Sequence, residues 1–181
     1  MKSFKIITDT DIGVSCKEFE NPYIRNGARG IVLREDGKIA VFNKQKENVY
    51  KLPGGGIDKG EKPQEAFKRE CLEETGCIVE IEKEIGIIEE HKSLNNFKQI
   101  SYVYVAKVIE DTKKLNITEK EKKEGARLLW KKPEEALKLI RNCFDKIKDS
   151  PVDKDEDVYS SRFIVLRDRL ILEKYLEENN I

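Results

Sequence analysis

The sequence predicts an α/β fold, a central mixed β-sheet with helices on both sides and an added C-terminal helix, and three observations carry that reading. Asp36-Gly37 separates the apolar runs ARGIVLRE (Ala28 to Glu35) and KIAVFNK (Lys38 to Lys44), the strongest short-range hairpin signal. The runs IVEIEKEIGIIEE (Ile78 to Glu90) and FKQISYVYVAKVI (Phe97 to Ile109) alternate and are rich in β-branched and aromatic residues, which suits two long antiparallel strands. Ahead of them, a glycine-rich loop at Gly54 to Gly56 feeds a helix that opens with Pro63 near its first position and closes at Gly76.

The remaining elements follow in order. Phe4 to Ile7 is a candidate edge strand, joined by a polar link to Asn21-Pro22. Tyr50-Lys51-Leu52 forms a short strand that delivers Pro53 and the glycines to the helix. On that helix Phe67 and Cys71 share one side as core anchors, with Glu74 at their edge, partly shielded from water. Asp111 to Glu124, dominated by lysine and glutamate, reads as a loop. Ala126 to Lys132 is a strand and Pro133 to Ile140 a helix with proline at its first position. Tyr159, Phe163, Ile164, Leu166, Leu170, Ile171 and Tyr175 spread over more than one stripe of a helix from Glu156 to Glu178. So wide an apolar surface must be buried, against its own domain or in a homodimer. The expected organisation is one catalytic-type domain over 1–145, with 1–25 as edge strand and linker, and a linker and helix over 146–181.

Composition narrows the function. Charged residues make up 39% of the 181, yet 35 basic residues balance 35 acidic ones. A net charge of zero offers no general attraction to nucleic acid or anionic membrane, so neither is an expected partner. The first residues, MKSFKIITDTDIG, are too short and polar for a signal peptide or membrane span, and a cytoplasmic location is the default. Cys16, Cys71, Cys77 and Cys143 show neither C-x-x-C pairs nor a disulfide framework, and with His91 the one histidine, zinc is disfavoured.

The acids of the Pro63 helix break two local rules. Glu70, Glu73 and Glu74 stand at i, i+3 and i+4, within an arc of about 100°. At an effective dielectric near 20, two charges about 5.5 Å apart repel by roughly 3 kcal/mol. They also lie in the last turns, where the helix dipole favours bases. The ordinary reading of such a helix is a solvated acidic face. The alternative is an oxygen ligand set for Mg²⁺ or Mn²⁺, which turns the repulsion into binding.

Gly55, five residues, Glu61, seven residues, then Arg69-Glu70-Cys71-Leu72-Glu73-Glu74-Thr75-Gly76-Cys77 resembles the Nudix box, G-x5-E-x7-R-E-U-x-E-E-x-G-U with U a bulky aliphatic. Every fixed position matches. The departures are Cys71 and Cys77 at the two U positions, and free cysteine is itself a small hydrophobe. Flanking strand patterns extend the resemblance from about Ala28 to about Leu139.

The resemblance implies a Nudix-type α/β/α sandwich and hydrolysis of a nucleoside diphosphate linked to another group, with Mg²⁺ (Mn²⁺ as substitute) and a nucleotide-type small-molecule substrate. Glu70, Glu73 and Glu74 match the family's metal-binding glutamates, and the Gly54 carbonyl matches a backbone ligand. Gly55, Glu61, Arg69 and Gly76 match structural positions, Glu61 and Arg69 holding loop to helix; the ordinary reading of that pair is a surface ion pair. The MutT-like branch often adds a glutamate from the loop before the last sheet strand. Glu124, followed by Gly125 and six residues before Trp130, matches it, against the bland reading that it pairs with neighbouring lysines.

Tyr102 and Tyr104 alternate with Val103 and Val105, so one pair faces a core and the other is free to line the cleft; Arg29, Tyr102 and Tyr104 are the substrate-contact candidates. His91 reads as exposed or hydrogen-bonded, and Trp130 as core. Families with this box that cleave ADP-ribose or diadenosine polyphosphates carry a proline or a tyrosine a short way beyond it. HKSLNN (His91 to Asn96) has neither, which leaves nucleoside triphosphates or oxidised nucleotides by elimination. Three other readings stay open: a nucleotide-sugar or ADP-ribose hydrolase, a non-catalytic nucleotide-binding regulator, and an isoprenyl diphosphate isomerase. The regulator would fit loss of a box glutamate, and the isomerase needs a catalytic cysteine outside the box and a histidine-rich metal site.

Overall fold

Strand β1 (Ser3–Thr8) runs into a tight turn at Asp9–Ile12, followed by β2 (Tyr23–Leu33), β3 (Ile39–Lys44), β4 (Val49–Lys51) and β5 (Gly54–Gly56). Helix α1 (Pro63–Thr75) leads to the long strands β6 (Cys77–Lys92) and β7 (Phe97–Asp111). Helix α2 (Glu119–Lys123), β8 (Ala126–Lys131), α3 (Pro133–Ile147) and α4 (Glu156–Glu178) complete the chain. This computed structural model describes residues 1–44, 49–116, 119–123, 125–152 and 156–181.

The strands form one mixed sheet in the order β1-β6-β7-β2-β3-β4, with β5 paired to β2 and β8 to β3. Two pairings are parallel, β1 with β6 and β2 with β7; the others are antiparallel. The hairpin closes with Leu33 opposite Ile39 around Gly37, whose φ of 75° is the left-handed value that a D-G turn supplies.

Alternation along the strands divides the interior into two cores. Ile31, Val41, Val103 and Val105 point to a cluster shared with α3 and α4, while Val32, Ala40, Tyr104 and Ala106 point to a cluster under α1 that includes Phe67, Cys71 and Cys77. Strands buried on both faces are what helices on both sides require, and the result is an α/β/α sandwich.

Helix α4 buries its wide apolar surface on this chain. Tyr159, Phe163, Val165, Leu166, Ile171, Leu172, Tyr175 and Leu176 all join the larger core. Each such side chain contributes roughly 1.5–3 kcal/mol on burial. Polar contacts fix the helix as well: the Tyr159 hydroxyl donates to Asp9, and Arg162 donates to the Ile12 carbonyl at 3.1 Å.

Three expectations need correction. The Asp111 to Glu124 segment holds the five-residue helix α2, made of lysine and glutamate alone, so no apolar stripe announces it. Helix α3 runs to Ile147 rather than Ile140, because Cys143 continues the buried side set by Ala136 and Ile140. Gly54 to Gly56 is a short strand rather than a free loop.

Candidate active site

Helix α1 is shaped by its ends. Pro63 occupies its first turn, and the Glu65 carboxylate accepts the Lys62 amide at 3.1 Å, satisfying one amide at the helix start. Gly76, at φ 69°, closes the other end with its N–H on the Leu72 carbonyl at 3.0 Å. Burial of Phe67 and Cys71 then turns the Glu70 and Glu74 side of the helix toward β5.

β5 allows a close approach because it has no side chains. A Cβ on Gly55 would lie 2.4–2.6 Å from the Glu70 carboxylate, and one on Gly54 would lie 2.4 Å from the Ala28 carbonyl oxygen. The Gly54 backbone, at φ 137°, also requires glycine. Its N–H donates to Glu74 Oε2 at 2.8 Å, while Lys51 Nζ donates to Glu74 Oε1 at 2.6 Å.

Arg69 links the parts. Its Nε and Nη2 grip the two Glu61 oxygens at 2.9 and 3.0 Å, Nη2 also reaches the Gly56 carbonyl at 2.9 Å, and Nη1 donates to Glu70 Oε1 at 2.8 Å. This is a bidentate fork rather than a loose surface pair. The Arg69 hydrogen bonds, joined by the Asp58 amide, hold the Glu61 carboxyl below its usual range.

The acids behave differently from one another. Burial pushes the Glu74 carboxyl up, an effect that Lys51 and the Gly54 amide oppose and the neighbouring Glu70 reinforces. Burial raises Glu70 too, against Arg69. Glu73 is half-buried, the most open of the three, 3.7 Å from Arg69. Among the described residues no three His, Cys, Asp or Glu side chains converge as a metal-holding group. Glu70 and Glu74 do meet β5, with hard oxygen donors and a cradle at Gly55 that a Cβ would fill. That donor set fits a hard divalent cation. Glu124 lies outside the described residues.

On the other face of β5 a cavity of about 510 Å³ opens between β2, β6, β7 and α4. Arg29 lines it, as expected of a substrate contact, and so do Arg25, Lys51, Lys92, Glu90 and Arg167. Neither Tyr102 nor Tyr104 does. Tyr104 is buried and stacks on Phe67 at 5.6 Å, because the even positions of β7 face α1 and the odd ones face α3 and α4. His91 is half-buried, with Nε2 3.0 Å from Glu89 Oε2. Trp130 packs at the edge of the α1 core with the Arg34 guanidinium 4.8 Å over its ring.

Several of these residues gave little sign of themselves. Lys51 stands just before the glycines, a position that could have drawn attention. The triplet Arg167-Asp168-Arg169, inside an otherwise apolar part of α4, was the clearest available signal of buried charge. Glu90 looked like a solvent position of an alternating strand, yet it is buried between Lys92, 3.1 Å away, and Arg167, 2.9 Å away.

Comparison with known proteins bears on this arrangement. The NUDIX domain family model matches residues 24–149. A putative 8-oxo-dGTP diphosphatase of Bacillus subtilis is 39% identical over 66 residues, 36% of this chain and 44% of that protein. Human diphosphoinositol polyphosphate phosphohydrolase 3-beta is 31% identical over 108 residues, 60% of this chain and 62% of that protein. The chain thus spans less than two thirds of the length of these curated relatives. A MutT protein structure from Methanosarcina mazei Go1 superposes with a TM-score of 0.56 at 17% identity, covering 90% of this chain and 99% of that one, a likeness of fold.

Proposed function

The chain belongs to the NUDIX domain family, and from that premise we propose that it hydrolyses a phosphoanhydride bond in a nucleoside diphosphate linked to another moiety, the leading substrate class being a nucleoside triphosphate or oxidised nucleotide. The observation that carries the proposal is the seating of Glu70 and Glu74 on β5, where an intact box, a bare backbone and two carboxylates meet. A bound Mg²⁺, or Mn²⁺ in its place, would supply charge neutralisation at phosphate oxygens and a lowered pKa for water.

The chain's own residues have separable tasks in this reading. Glu70 and Glu74 hold the cation, with the Gly54 carbonyl as a backbone ligand and Glu73 joining from its half-buried position. Arg69 fixes the Glu70 carboxylate and ties α1 to the Gly56 carbonyl through the same guanidinium. Glu61 keeps that guanidinium in place. Lys51 neutralises Glu74 and lies on the wall where a phosphate would pass.

Glu124 is proposed as the additional acid that completes the ligand set or accepts the proton of water. Glu124→Gln is expected to lower turnover by about 10²-fold or more, the usual span for a positioned proton acceptor, while Glu119→Gln changes little. Equal small effects of both would remove Glu124 from the site.

No helix among the described residues is long and apolar enough to cross a membrane. A cytoplasmic setting suits Cys71, Cys77 and Cys143, none of which is in a disulfide. The test of the proposal is a panel: phosphate and pyrophosphate release from nucleoside triphosphates, nucleotide sugars, ADP-ribose and dinucleoside polyphosphates with Mg²⁺. Release from the triphosphates above the rest is the expected result. Nucleotide binding without cleavage of any of them would favour a regulator.

A further inference from the structure

The cavity behind β5 holds more positive charge than the Lys51–Glu74 pair of the hydrolytic site accounts for. Six of its lining side chains are cationic and one, Glu90, is acidic. Some of that charge is accounted for. Lys51 is taken up by Glu74, Lys92 by Glu90, and Arg167 by Glu90 and Asp168. Arg25 and Arg29 have no carboxylate in ion-pairing range among the described residues.

Arg29 is the more telling of the two. It is 6% exposed, and its Nε donates to Ser101 Oγ at 3.0 Å, the one hydrogen bond of its side chain among the described residues. Its terminal nitrogens are left toward the cavity. Burial, with Arg167 as a like-charged neighbour, pushes its pKa down to about 10, against the opposing charges of Asp168, Glu90 and Glu74. The nearby carboxylates lie beyond hydrogen-bonding range, so an anion that takes these nitrogens directly would offset the remaining cost of burying the guanidinium.

Both free guanidinium groups lie along the glycine strand. A Cβ on Gly56 would come within 2.6 Å of Arg25 Nη2, and one on Gly27, the β2 residue paired with Gly56, within 3.2 Å of Arg29 Nη2. Gln99, opposite Arg25 on β7, donates its amide nitrogen to the Arg25 carbonyl at 3.0 Å. The outer wall comes from Ser160, Ile164 and Arg167 of α4, beyond the residues that the family model matches. The cavity is therefore partly built by a segment outside that match.

We infer that this cavity is a phosphate-binding subsite, in which Arg25 and Arg29 hold a phosphate of the substrate beyond the two joined by the scissile bond. Two planar guanidinium groups suit a tetrahedral dianion through paired N–H donors. A diphosphate esterified at both ends, as in ADP-ribose or a nucleotide sugar, has no such group to place there. Triphosphates, longer chains and diphosphates whose linked moiety is itself phosphorylated do. This deepens the hydrolase reading and rests on it for the identity of the ligand, but the binding of phosphate can be measured apart from hydrolysis.

The test is calorimetric titration of the full chain in excess EDTA with tripolyphosphate and, separately, with inositol hexakisphosphate. Binding by at least one is expected, weakened tenfold or more in Arg25→Ala and in Arg29→Gln, and unchanged in Lys174→Ala, a charge loss two turns farther along α4, beside Phe4 and outside the cavity lining. The tighter probe assigns the extra phosphate to a linear chain or to the linked group. Because Arg25 is exposed, its variant decides the matter even if Arg29→Gln fails to fold. Absence of binding, or equal affinity in wild type and Arg25→Ala, would overturn the subsite. Loss of hydrolysis with intact phosphate binding would instead count against the hydrolase reading alone.

Discussion

Asp168 Oδ2 accepts the backbone N–H of Leu52 at 2.8 Å, joining residues 116 apart in sequence. The other oxygen, Oδ1, accepts from Arg167 Nε at 2.7 Å. One buried carboxylate thus anchors the last residues before Pro53 and Gly54 and neutralises a guanidinium at the cavity wall. Helix α4 is in this way a support of β5.

Removing that carboxylate should cost far more than a surface contact. Asp168→Ala would leave the Leu52 amide without its acceptor and Arg167 undercompensated, and breaking a buried pair costs about 3–5 kcal/mol. Urea unfolding is expected to show a loss in that range. A loss under about 1 kcal/mol would mean that α4 is not fixed through this residue.

The cysteines in the box should act as packing groups only. Cys71 and Cys77 are fully buried in the core shared with Phe67 and Tyr104, and burial raises both thiols. Cys71→Val and Cys77→Val are expected to cost less than about 1.5 kcal/mol, the range of tolerated core swaps, and to leave turnover nearly unchanged. A folded Cys71→Val protein without activity would instead point to thiol chemistry at the box.

Acid should weaken the fold through Glu90. Burial would raise this carboxyl, but Lys92 on its own strand, Arg167 on α4 and Arg29 on β2 outweigh that and bring it to about 2. An acid whose pKa falls on folding stabilises the native state above its unfolded value near 4.5 and loses that contribution as pH falls toward 2. At roughly 1.4 kcal/mol per unit, the contribution is about 3 kcal/mol. Denaturant titrations from pH 7 to pH 2 should show a steeper acid loss for wild type than for Glu90→Gln. Parallel profiles would remove Glu90 as the source.

What the sequence could disclose depended on how local each determinant was. The helix α1, its proline and glycine ends and the spacing of Glu70, Glu73 and Glu74 all lie within one short stretch, so periodicity and capping chemistry were enough. The Asp36-Gly37 hairpin was legible for the same reason. Tyr102 and Tyr104 were harder: alternation shows that they share a face, but both faces of β7 are covered, and only the packing of α1 against one of them tells which. The cavity was the least legible part. Arg25 and Arg29 come from β2, Lys92 from β6 and Arg167 from α4, and no spacing in a linear chain brings these together.

The central claim is that Glu70 and Glu74 on the glycine strand make a divalent-metal site for phosphoanhydride hydrolysis. The most direct measurement is turnover of a nucleoside triphosphate by wild type and Glu70→Gln, with Mg²⁺ and again in excess EDTA. The account predicts activity for wild type with Mg²⁺, its abolition by EDTA, and a loss of orders of magnitude in a folded Glu70→Gln protein. Full turnover in EDTA, or a Glu70→Gln variant as active as wild type, would contradict it.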